Sequence, residues 1–100
     1  MKRKASISHD KAVISELRSN PRFAVEYLRA ALEDDDEPRV LLIALRRVVQ
    51  ARGIARIAKN AGVPRESLYR ALSKTGNPRL STLAAVTKAV GLRLTVEAAG

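Results

Sequence analysis

Five glycines and four prolines punctuate this 100-residue chain, and their spacing limits every regular element to a short piece. Pro21, Pro38, Gly53, Gly62 with Pro64, Gly76 with Pro78, and Gly91 separate runs in which apolar residues recur at helical spacing. A chain divided in this way is expected to fold as small helices around one core. One hundred residues is about one domain's worth, so a single core is expected, since domains commonly hold roughly 100–150 residues.

The first expected helix spans about 11–18, capped by Asp10, with Val13, Ile14 and Leu17 on one side. Asn20-Pro21 supplies an N-cap and a proline at the first helical position for a second helix over about 21–33. Ala24, Tyr27, Leu28, Ala31 and Leu32 form its apolar stripe. The acidic run from Glu33 to Glu37 ends it, and Pro38 opens the next helix, which reaches Arg52. Here Val40, Leu41, Leu42, Ile43, Ala44, Leu45, Val48 and Val49 nearly encircle the axis, as in a central, mostly buried element, before Gly53 closes it. Two short helices, about 54–61 and 65–73, join through Gly62. A last helix over about 80–90 turns Leu80, Leu83, Val86 and Val90 inward. In the tail Leu92, Leu94 and Val96 alternate with Arg93, Thr95 and Glu97, which predicts a strand. A lone strand has no partner in an all-helical chain, so pairing with a symmetry mate across a two-fold axis is expected.

The expected fold is therefore all-α, five to six short helices with a C-terminal dimerisation strand. Its parts are a basic and mobile tail (1–9), a helical extension (10–37), a DNA-binding domain (38–91) and the strand and tail (92–100). With 46% apolar residues but only 3% aromatic and no tryptophan, the core must be built from Leu, Ile, Val and Ala.

Composition also excludes chemistry. There is no cysteine, so disulfides, thiolate nucleophiles and Cys-zinc sites are ruled out, and one histidine, His9, cannot make a multi-His metal centre. No Ser/His/Asp or two-carboxylate arrangement is recognisable, so neither an enzyme nor a cofactor is expected. Consecutive acids such as Glu33 to Glu37 do not converge on one ion as a Mg²⁺ site would require. A solvated connection, or a patch facing a basic protein partner, accounts for them better. No apolar run approaches the roughly 20 residues of a membrane span, and the start MKRKASISH is not followed by a signal-type hydrophobic region, so the expected location is the cytoplasm.

The net charge of +9 is unevenly placed. Residues 1–37 hold seven Lys/Arg against eight Asp/Glu, whereas residues 38–100 hold twelve against two, Glu66 and Glu97. Solubility does not require such an excess, and a polyanion such as nucleic acid does account for it.

Within that basic segment, Ala58, Gly62 and Leu68 stand in the Ala-x3-Gly-x5-Leu spacing of a helix-turn-helix. A small residue lets two helices cross closely, a glycine turns the chain, and a leucine drops from the second helix into the shared core with Ile57, Val63 and Leu72. In such a motif the second helix enters the major groove. Removing its inward residues leaves Arg65, Glu66, Tyr69, Arg70 and Ser73. Arg65 and Arg70 can offer planar forks to guanine, Glu66 can accept from cytosine, and Tyr69 can stack on a sugar or touch a thymine methyl. An ordinary surface pair between Glu66 and Arg70 is the competing reading. Phosphate contacts are expected at Arg56 and Lys59 before this helix and at Ser73, Lys74, Thr75, Gly76 and Asn77 after it. Arg46, Arg47, Arg52, Arg79 and Lys88 cannot all be placed on one face.

The run ALRRVVQARGIARIAKNAGVPRESLYRALSKTGNPRLSTLAAVTKAVGLRLTV resembles the C-terminal part of the addiction-module antidote proteins, a HigA-like antitoxin family with a Cro/C1-type (Xre), lambda repressor-like helix-turn-helix. The preceding YLRAAL fits their N-terminal part, so the resemblance covers about 20–97, and Arg65 through Leu72 into Gly76-Asn77-Pro78 is its most specific stretch. It implies a small antitoxin that neutralises a RelE/HigB-like ribonuclease toxin and represses its own operon as a homodimer on double-stranded DNA. A two-fold dimer would read an inverted-repeat operator. The chain departs from the pattern at Pro64, Ala55 and Arg79, where hydroxyl caps are usual. Arg56 and Arg79 are the candidates to replace those hydroxyls at phosphates. Two rivals stand beside this reading: a stand-alone phage-type repressor with no toxin partner, and a pure protein-interaction module whose DNA face is vestigial.

Overall fold

A computed structural model describes residues 2–33, 37 and 39–99, with side chains from residue 11 onward. Asp34 to Asp36 and Pro38 lie outside the described residues, so the readings of the acidic run and of the proline at the start of the third helix are left at the sequence. Among the described residues six helices follow one another: α1 (Lys2–Ser19), α2 (Pro21–Leu32), α3 (Arg39–Arg52), α4 (Ile54–Ala61), α5 (Arg65–Ala71) and α6 (Leu80–Ala89).

The local reasons are those of capping and periodicity. Asn20 adopts an extended conformation and its side-chain oxygen accepts from the Phe23 N–H at 3.2 Å, so α2 starts where the Asn-Pro pair directs. Ala24, Leu28 and Ala31 of α2 are buried, and so are Ala44, Leu45, Val48, Val49 and Ala51 of α3. That breadth of burial makes α3 the axis of the molecule. α1 and α2 pack on it and on each other, α4 packs on its other end, and α5 and α6 both lean on α4. Leu17, Val48, Val49, Leu68, Leu72 and Val86 are the largest wholly buried side chains, one continuous core reaching from α1 to α6. Each such residue contributes about 1.5–3 kcal/mol of apolar transfer free energy.

Several expectations need correction. α1 begins at Lys2, not after an Asp10 cap: no proline or glycine interrupts the chain before Pro21, and Lys, Arg and Ala are good helix formers, so the backbone of 2–9 continues the helix. α5 ends at Ala71 rather than Ser73, because the Ser73 hydroxyl donates to the Arg70 carbonyl at 2.8 Å and turns the chain there. Leu80, the first residue of α6, is 73% exposed instead of inward. The buried stripe starts only at Leu83 and continues through Val86 and Val90. Leu32, at the last turn of α2, is likewise 57% exposed.

The tail departs furthest from expectation. No strand forms among the described residues, and 92–99 carry no regular secondary structure. A strand exists only when a ladder of hydrogen bonds pairs it, and the described residues offer the tail no edge to join. The three alternating residues also part company. The Leu92 N–H donates to the Thr87 carbonyl at 2.9 Å, closing the end of α6 and seating Leu92 against the core. Leu94 and Val96 stay 52% and 95% exposed. Leu94 stands on the rim of a groove of about 690 Å³, lined by Leu28, Leu41, Leu45, Leu83 and Leu92. Among the described residues no helix is long and apolar enough to cross a membrane.

Candidate nucleic-acid interface

The α4–α5 pair depends on one tight corner. Gly62 adopts a left-handed conformation (φ 71°), its N–H donates to Lys59 O at 3.2 Å, and Val63 N–H reaches Ala58 O at 3.0 Å. A side chain is disfavoured in that conformation, although space around the position is open, so it is the backbone angle that calls for glycine. Ala58 and Ile57 are buried on the near side and Leu68 and Leu72 on the far side, with Val63 packed beside them, as the spacing predicted. Neither Pro64 nor Arg79 makes a side-chain cap, in keeping with the missing hydroxyls.

With Leu68 and Leu72 turned inward, α5 presents Arg65, Glu66 and Arg70 to solvent, and Tyr69 is half-buried. The cause of that partial burial is visible. The Arg46 guanidinium, from α3, lies 5.2 Å from the centre of the Tyr69 ring, and the Arg65 guanidinium lies 6.0 Å from it. The four residues expected to read bases therefore share one short helix, but Tyr69 already has two cationic neighbours.

The residues expected at phosphates flank this helix. Arg56 and Lys59 are exposed on α4, and Lys74, Thr75 and Asn77 are exposed in the loop after α5. Ser73 is half-buried, and the donor capacity of its hydroxyl is committed to the Arg70 carbonyl. The loop folds back closely: the Gly76 N–H donates to Ser73 O at 2.9 Å, and a Cβ at Gly76 would stand 2.2 Å from the Ala71 carbonyl oxygen. Gly76 is thus required for space, where Gly62 is required for conformation. From α3, Arg39 Nη1 donates to the Lys74 carbonyl.

Sequence reasoning missed Arg39 and left Arg46 unplaced. A signal was present, because two residues seven apart lie two turns along one helix face, and both belong to the basic segment. Their neighbour Arg47 points elsewhere, donating to the Tyr27 hydroxyl on α2 at 3.1 Å, where Tyr27 also stacks on Phe23.

Comparison with known proteins places this architecture. The family model described as probable addiction module antidote protein matches residues 9–98. The chain belongs to that family. The match takes in all of α2 to α6 and most of the tail, and the antidote family implies a toxin partner in general terms. One relative, an uncharacterized protein of Haemophilus influenzae (strain Rd), is 42% identical over 71 residues, spanning 71% of this chain and 72% of the relative. No solved structure matches the chain.

Proposed function

We propose that this antidote protein is a sequence-specific DNA-binding antitoxin, a HigA-like member with a Cro/C1-type helix-turn-helix. It acts in the cytoplasm, neutralises a RelE/HigB-like ribonuclease toxin and represses its own operon, and it is not an enzyme. One observation carries the DNA reading: α5 and its C-cap bury Leu68 and Leu72 against the core, and α5 turns Arg65, Glu66 and Arg70 outward. It does so within a segment holding twelve basic residues against two acidic ones. Arg65 and Arg70 then meet guanine edges in the major groove and Glu66 meets cytosine, while Arg56, Lys59, Lys74, Thr75 and Asn77 meet phosphates on either side. Ser73 serves this loop by holding its start rather than by donating to a phosphate.

A homodimer completes the reading, since a two-fold pair of reading helices demands an inverted repeat with half-sites about one helical turn apart. Leu94 and Val96 support it, both being apolar and exposed, with Leu94 on an apolar groove. Leu92 belongs instead to the protomer's own core.

The test is a fluorescence anisotropy titration of the protein on DNA taken from upstream of its own gene, against scrambled DNA of equal length. Co-expression with the neighbouring short reading frame follows in a growth-rescue assay. Expected are specific binding at least about 10³-fold tighter than to the scrambled duplex and rescue of growth. Equal affinity for both duplexes would remove the repressor role. Specific DNA binding without rescue would favour the stand-alone repressor.

A further inference from the structure

α5 has seven residues and packs chiefly on α4, so its rotation toward the DNA needs a second restraint. α3 supplies one through two long side chains. Arg46 places its guanidinium over Tyr69, in the middle of α5, and Arg39 holds the backbone carbonyl of Lys74 in the loop just beyond the helix. These residues bridge two elements whose backbones do not pack closely, and they grip α5 at its centre and its exit.

The same ring lies next to Arg65, whose guanidinium is 6.0 Å from its centre, at the outer limit of an effective cation–π contact. Arg46, Tyr69 and Arg65 therefore form one cation–ring–cation cluster. Two like charges beside one ring repel each other, which a protein tolerates most readily where a polyanion supplies the compensating charge. An arginine fork discriminates a base only when its plane is held in register with the O6 and N7 acceptors, and an exposed arginine at a helix start has little else to hold it.

The geometry points to Arg46 as a specificity-determining positioning residue and to Tyr69 as its platform. Through the Tyr69 ring Arg46 fixes the orientation from which Arg65 reads its base, and the Tyr69 hydroxyl takes no part in recognition. This assignment rests on the DNA-binding function proposed above and deepens it: the base-reading unit includes a residue outside the helix-turn-helix, and Tyr69 works by its face rather than as a base contact. Arg39 acts alongside by anchoring the loop that carries Lys74.

The experiment has two arms on the full chain. In the first, NMR without DNA measures the Arg46 side-chain protons, which a ring face shifts upfield. The shift should be present in the wild type and in Tyr69→Phe and absent in Tyr69→Leu. In the second, binding-site selection is run at two salt concentrations with wild type, Arg46→Met, Tyr69→Phe, Tyr69→Leu and Arg65→Ala. Arg46→Met keeps an unbranched apolar stem of similar reach and removes the cation, so the fold is retained.

Arg46→Met and Tyr69→Leu should relax preference at the same base positions as Arg65→Ala, with discrimination there falling roughly tenfold. The salt slope should stay unchanged, and Tyr69→Phe should keep the wild-type logo. If Arg46→Met instead leaves the logo intact and lowers the salt slope by about one, Arg46 is a phosphate contact and the positioning role is wrong. Loss of the logo in Tyr69→Phe would overturn the platform role. A wild type without sequence preference removes the proposed function itself and the reading role with it, whereas an absent ring shift in a protein that does read sequence removes only the inference about Arg46.

Discussion

Gly62 precedes α5 and Gly76 lies in the loop that follows it, and the two are needed for different physical reasons, which substitution can separate. Alanine at Gly76 would put its Cβ 2.2 Å from the Ala71 carbonyl oxygen and 2.6 Å from that of Arg70. Normal contact lies beyond 3 Å, so the loop must retreat by roughly 1 Å. Both obstacles are backbone atoms, and the Arg70 oxygen already accepts from the Ser73 N–H at 3.2 Å and the Ser73 hydroxyl at 2.8 Å, so no rotamer relieves the clash. Overpacking of this kind costs about 1–3 kcal/mol, and a rigid obstacle places Gly76→Ala in the upper half of that range. For a domain of this size 1 kcal/mol shifts Tm by about 4–8 °C, so a loss of roughly 10–20 °C is expected.

At Gly62 a Cβ meets nothing within 4 Å, and only the left-handed backbone opposes it. Gly62→Ala should therefore cost about 1–2 kcal/mol, and Gly62→Asn less, because asparagine tolerates that conformation. At Gly76 asparagine should be no better than alanine. Thermal and urea unfolding followed by circular dichroism, on all four variants, measures the order. A Gly76→Ala protein melting within about 2 °C of wild type, or rescue by Gly76→Asn, would refute the close-approach argument.

Arg65→Ala and Arg70→Ala should each cost about 1–3 kcal/mol of operator affinity and relax particular base positions, whereas Lys59→Ala and Lys74→Ala should weaken all sequences alike and flatten the salt slope by about one; binding-site selection at two salt concentrations distinguishes the two classes. Ending the chain after Arg93 removes Leu94 and Val96 but keeps Leu92 on the core, so light scattering should report a folded monomer, and a persisting dimer would put the interface elsewhere. Leu17→Ala, at a wholly buried position of α1, should lower stability by about 3–5 kcal/mol in urea unfolding if α1 belongs to the one core. A loss under about 1 kcal/mol would make α1 an appendage. Asn20→Ala should cost about 1 kcal/mol by removing the acceptor for the Phe23 N–H, again read by urea unfolding.

What the order of residues determined by itself was local. Prolines and glycines end helices whatever surrounds them, because they change the backbone angles and donors of their own residue. The start of α2, both bounds of α4 and the start of α5 were accordingly legible before any packing was known. The Ala58, Gly62, Leu68 spacing was legible for a similar reason, since a turn of fixed geometry dictates which positions face inward. Properties that need a second element could be decided only by the tertiary structure. Leu80 and Leu32 carry the same apolar signal as Leu83 and Leu28, yet they stay exposed, Leu32 along the open groove that Leu41, Leu45 and Leu83 also line. Period two in the tail is a pattern of side chains, whereas a strand is a pairing of backbones, and the Leu92 N–H is bonded to the Thr87 carbonyl of α6 instead. Arg46 and Arg47 are neighbours in sequence and chemically alike. The fold sends one to Tyr27 on α2 and the other to Tyr69 on α5, since successive residues on a helix point about 100° apart.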